Sequence, residues 1–169
     1  MTRMNGYNLV SAIWMLLIAA QVQAGPIEDA VASKSRGDFA AALSQFKSLA
    51  NTGNPRAQFE LSLLYLTGKG VKSDTRQAMR WLKQSAVRGY QPAQSNLGVA
   101  FGRGRYLPQD EVKAYIWASI AATSGDAVAV TNRDVAGRNF SPKELEQVKL
   151  LAQECLRRFS EVQTLPQCL

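Results

Sequence analysis

The chain has 169 residues, with 20 Lys and Arg against 13 Asp and Glu, and no histidine. That length is the size of one ordinary domain. The missing imidazole excludes Ser-His-Asp and Cys-His catalysis and every histidine metal site. The positive balance attracts anionic neighbours without specifying a fold, and the basic residues are spread among acids rather than run together, so a mixed-charge surface is expected over a nucleic-acid site.

The first element is a targeting segment. Arg3 precedes an uncharged apolar run from Leu9 to Ala20, followed by Gln21 and Gln23 and then small residues. Spanning a bilayer takes about 20 apolar residues, so this run has the length of a signal-peptide core. Val22-Gln23-Ala24 is an acceptable cleavage site, so residues 1–24 are expected to be removed on export; a retained membrane anchor is the alternative. Cleavage would leave no membrane span, and the destination is periplasmic or secreted.

From residue 27 onward the chain repeats itself every 36 residues. Ala42, Ala78 and Ala114 share that step, as do Ala50, Ala86 and Ala122, then Gly53, Gly89 and Gly125, then Asp38, Asp74 and Asp110. The two central units also match Leu61 with Leu97, Tyr65 with Phe101, Gly68 with Gly104 and Trp81 with Trp117. Ala78, Trp81, Leu82, Ser85 and Ala86 fall on one helical face, and Ala57, Leu61, Leu64 and Tyr65 do the same on the helix before. The aspartates precede helices as N-caps, and the glycines follow them as left-handed C-terminal caps. In chain order this predicts helices at about 27–36, 39–51, 54–67, 75–88, 90–102, 110–124 and 126–138. Ser141-Pro142-Lys143-Glu144 then has the form of a capping box. It opens a last helix at about 142–159, with Leu145, Val148, Ala152, Cys155 and Phe159 on one face. A repeat array occupies 25–140, and residues 141–169 form its closing helix and tail.

Cys155 and Cys168 are the two cysteines. In an oxidising compartment they can close a short disulfide loop, which the export signal favours; alternatively Cys155 is a small buried hydrophobe on its apolar stripe.

The pattern Ala57, Leu61, Tyr65, Gly68-Lys69-Gly70-Val71, Asp74, Ala78, Trp81, Ala86, Gly89 resembles a Sel1-like repeat, a branch of the tetratricopeptide superfamily. The unit from Ala93 to Gly125 keeps the pattern but has Tyr106-Leu107 in place of Gly-Val, so a turn of different shape is expected there. The first unit, with Gly37-Asp38-Phe39, Ala42 and Phe46, is closer to an ordinary tetratricopeptide repeat, and the fourth keeps only Ala129 before diverging at Arg133. The resemblance implies an all-α, right-handed solenoid of antiparallel helix pairs with adaptor or assembly roles, no single activity and no cofactor.

Gly68-Lys69-Gly70 and Gly102-Arg103-Gly104 look like phosphate cradles but follow helices, so they read as turns. No catalytic residues are assigned, and carboxylates such as Asp74 and Asp110 are explained as caps. By the register of tetratricopeptide stacks, Phe59, Leu63 and Leu66 fall on the inner face, with Val99 and Arg103 on the neighbouring helix. An apolar groove with a basic rim is expected to take a segment of a partner protein, a component of an envelope complex. The alternatives are that these side chains pack against the preceding helix pair, or that a basic surface of Arg76, Arg80, Lys83, Arg88, Arg103 and Arg105 holds an anionic polymer such as polysaccharide or lipid headgroups. Neither reading involves nucleic acid.

Overall fold

The computed structural model describes residues 25–160 and Cys168; the expected signal segment and most of the tail lie outside those residues. The described residues form eight helices and no strand: α1 (Pro26–Ser35), α2 (Phe39–Asn51), α3 (Pro55–Thr67), α4 (Thr75–Val87), α5 (Gln91–Arg103), α6 (Glu111–Ala122), α7 (Ala127–Gly137) and α8 (Pro142–Ser160). They stack as antiparallel pairs in an all-α solenoid. Among the described residues no helix is long and apolar enough to cross a membrane.

The helix starts have local causes. Asp38, Asp74 and Asp110 each accept a bond from the backbone N–H three residues on, at 3.1, 3.0 and 2.9 Å. Asn54 and Asp126 do the same for Ala57 and Ala129. Each cap satisfies a donor that the first helical turn leaves free. At α8 the capping box closes in both directions: the Ser141 N–H donates to Glu144 at 2.8 Å, and the Glu144 N–H donates to the Ser141 hydroxyl at 3.4 Å. The bonds from Ser141 hold the Glu144 carboxyl below its ordinary pKa.

The core runs along the stack in two clusters. Ala42, Phe46, Ala57, Leu61, Leu64 and Trp81 form the first. The second, centred on Leu97, Ile116 and Trp117, continues into Val148, Ala152 and Cys155 of α8. Alanines at the crossings let helix axes approach, and Leu, Phe and Trp fill the spaces between. Two buried glutamines tie successive units: the Gln58 side-chain amide donates to Ala50 O at 3.0 Å, and Gln94, 36 residues on, donates to Ala86 O at 3.2 Å. The next position in that register is Val130, so α7 lacks the tie, and of α7 only Ala129 is buried.

The closing helix covers the far side of α6, which also packs on α5 and α7. Cys155 and Cys168 are joined in a disulfide, and both are fully buried. Cys168 is thereby pinned to the second core cluster.

Candidate functional site

The two central units are joined across turns of the same form. After α3, the Lys69 N–H donates to Leu64 O at 3.2 Å and the Asp74 N–H to Tyr65 O at 2.9 Å. After α5, the equivalent bonds run from Arg105 to Ala100 at 3.2 Å and from Asp110 to Phe101 at 3.1 Å. Gly68 and Gly104 are the left-handed caps. Gly70 has φ 73°, and Tyr106 has φ 72°. The expected change of shape is therefore absent: Tyr106 adopts the backbone conformation that glycine supplies one repeat earlier. A bulky residue rarely holds that conformation. The glycine-lysine motif serves this turn, and Gly102 and Arg103 belong to α5 itself.

On the face made by α3 and α5, Leu63, Leu66, Val99 and Arg103 come together around a gap of about 150 Å³, floored by Met79 and Leu82. The three aliphatic side chains are half-buried and Arg103 is exposed. Val99 and Arg103 also border a second gap of about 220 Å³ between α5 and α7, with Asn132 and Val135 opposite. Phe59 sits apart from the first gap: its ring packs on Tyr90, with centroids 5.3 Å apart, and bridges two units.

Tyr106 borders the α3–α5 gap on one side and, on the other, an open cleft of about 710 Å³ lined by Arg76, Met79, Arg80, Lys83 and Leu107. Arg105 lies over the Tyr106 ring at 4.7 Å, and Arg80 over the Trp81 ring at 5.2 Å. Lys83 and Lys113 approach the Phe101 ring at 5.8 and 5.4 Å. Burial, reinforced by the Lys113 charge, holds the Lys83 ammonium below the ordinary lysine pKa. No carboxylate lines either the cleft or the α3–α5 gap. Arg88, at the other end of α4, donates to Gln84 O and does not join this group.

The sequence reading names most of these cations but not their meeting with Tyr106. The signal was present as the one bulky residue at a glycine position of the repeat.

Residues 55–90 and 91–126 each match the model of the Sel1 repeat. Among solved structures, the chain is similar to a protective antigen present in uropathogenic Escherichia coli strains that displays an SLR fold. That likeness has a TM-score of 0.70 and 27% identity, over 83% of this chain and 32% of that one. A Sel1 repeat protein from Oxalobacter formigenes is also similar, with a TM-score of 0.61 and 25% identity, over 76% of this chain and 54% of that one. The chain thus spans well under two thirds of either relative. A search of curated proteins finds no match. Sel1 repeats generally mediate protein–protein interaction, and proteins built on them are typically non-catalytic scaffolds.

Proposed function

We propose that this chain, whose centre is two Sel1 repeats, is a non-enzymatic adaptor of the bacterial cell envelope that holds a segment of a partner protein on its concave face. The observation that carries the reading is the recess between α3 and α5, where Leu63, Leu66 and Val99 stay half-buried with Arg103 at the rim. Aliphatic side chains left in such a recess give a partner apolar surface to cover, and helical repeats use recesses of this kind for helices or extended segments. Export is supported by the Cys155–Cys168 disulfide, a bond that persists in oxidising compartments. Partner contacts extend to Asn132 and Val135 across the second gap.

The test is co-purification from envelope extract with wild type and Leu63→Asp, at low and high salt. The variant keeps its helical circular dichroism, because Leu63 is only partly buried, and loses at least about tenfold of the captured partner, the effect of an unpaired charge in an apolar site. Capture that ignores Leu63 and vanishes with salt moves the function to the basic surface and an anionic polymer. The acid-free cluster around Arg76 and Arg80 is what favours that second reading.

A further inference from the structure

Arg76, Arg80 and Lys83 recur at helical spacing on α4 and line the cleft with Tyr106 of the α5–α6 turn, while Arg105 stacks on the Tyr106 ring from the side of the α3–α5 gap. Some cations elsewhere are paired, Lys34 with Glu60, Arg56 with Glu28, Lys113 with Asp110 and Lys149 with Glu146, while others such as Lys47, Lys72 and Lys143 stand singly on the surface among the described residues. Arg76, Arg80, Arg103 and Arg105 have no ion-pair partner among the described residues. Like charges one turn apart destabilise a helix, so the cluster works against the fold.

The shape of the cleft has its own cause. At Gly70, a Cβ would stand 2.4 Å from the carbonyl oxygen of Phe39, the first residue of α2. The glycine lets that turn seat directly on the helix start. One repeat later the equivalent helix start is Thr75 and the equivalent turn residue is Tyr106, which has a Cβ and a ring. The second turn cannot approach as closely, and the open cleft lies between Tyr106 and the start of α4. Strained backbone of this kind persists where surrounding structure enforces it, and it gathers at binding sites.

We propose that this cleft receives the acidic side chains of the same partner segment whose apolar side chains enter the α3–α5 recess, with Tyr106 as the divider between the two subsites. The inference rests on the adaptor reading above. Guanidinium groups match carboxylates in a two-point geometry, and Arg76 and Arg80 supply them in the cleft, with Arg105 across Tyr106 on the side of the recess. The occupant is a polypeptide because the basic cleft and the apolar recess share Met79 and Tyr106 as walls. A polysaccharide has no aliphatic side chain for the recess. A lipid surface would need protruding apolar residues, whereas Leu63, Leu66 and Val99 line a hollow. The segment is therefore amphipathic, with two or more Asp or Glu beside a pair of large aliphatic or aromatic residues.

The test pans a random 16-residue peptide library against the purified full chain with its disulfide intact. Wild type, Arg76→Ala/Arg80→Ala and Leu63→Asp are run in parallel, each checked for a helical spectrum. Wild type selects peptides with Asp and Glu enriched at least threefold over the input beside large apolar residues. The arginine variant keeps the apolar preference and loses the acidic one, and a selected peptide binds it at least tenfold more weakly. Leu63-dependent peptides without acidic enrichment overturn this inference and leave the adaptor reading standing. Peptides that bind without regard to Leu63, or no selected peptides at all, overturn both. Polygalacturonate or phosphatidylglycerol vesicles run as separate probes, and binding to either that depends on Arg76 and Arg80 while no acidic peptide is selected reassigns the cleft to an anionic polymer or a membrane surface.

Discussion

In the first central repeat, the turn after α3 seats Gly70 against Phe39; in the second, the turn after α5 carries Tyr106 in the same register. The faces differ as well. Glu60 is buried and held by Lys34 of α1 at 2.5 Å, so the preceding pair covers that part of the first unit. The equivalent residue of the second unit is Asn96, which is exposed and borders the recess. Leu61 and Leu97 are both fully buried, and the caps Asp74 and Asp110 accept equivalent bonds. Positions that build the stack are thus repeated, and positions that face solvent or a partner diverge. A repeat array separates the two tasks because each unit contacts only its neighbours.

The comparison breaks most severely if the first turn is given the residue of the second. Gly70→Tyr places a Cβ onto the Phe39 carbonyl and forces a bulky residue to positive φ. The left-handed conformation costs about 1–2 kcal/mol and the clash about as much again, so a total near 3 kcal/mol is expected. In a domain of this size that is about a 10 °C fall in melting temperature. An unchanged melt would mean that the first turn also lifts off its helix and that Gly70 is not what seats it.

The caps give a smaller contrast. Asn54 caps α3, whereas Tyr90, in the same register before α5, makes no side-chain cap and packs on Phe59 instead. Asn54→Ala should cost about 1 kcal/mol in denaturant unfolding. Tyr90→Asn gains a cap of similar worth but gives up an aromatic pair worth about 0.5–1.5 kcal/mol together with the burial of a ring packed on the core, so the cap offsets only part of the loss. A loss at Tyr90 as large as at Asn54 would show that the aromatic bridge is the stronger device.

Much of the architecture is legible because the 36-residue period fixes helix pairs, caps and closing turns together. The expected helix bounds differ from the observed ones by no more than two residues, as at α6, which ends at Ala122. Gln58 and Gln94 escape notice because a buried amide looks like a surface residue until its partner carbonyl is known. The site is harder to read. Leu63, Leu66, Val99 and Arg103 share a face by register alone, but Phe59 turns to Tyr90 because that ring stands across the unit boundary. Likewise Arg76 and Arg80 look like one side of a solvated helix. Only the return of the chain through Tyr106 and Leu107, about 30 residues later, makes them part of one open cleft.

The smallest effect on stability carries the most information about Tyr106. Tyr106→Gly restores to the second turn the residue found in the first. Removing the left-handed strain returns about 1–2 kcal/mol. Against it stand the extra freedom that glycine gives the unfolded chain, about 0.5–1 kcal/mol, and the contact of the ring with Arg105, about 0.5–1 kcal/mol at an exposed site. These terms nearly cancel, so unfolding should shift by no more than about 0.5 kcal/mol in either direction. The variant should nonetheless lose the acidic preference in peptide selection, because the turn can then settle on α4 and close the cleft. A clear destabilisation would instead make Tyr106 a packing residue, kept for the fold. Near-neutral stability with lost selection means that the strained backbone is held for what binds beside it.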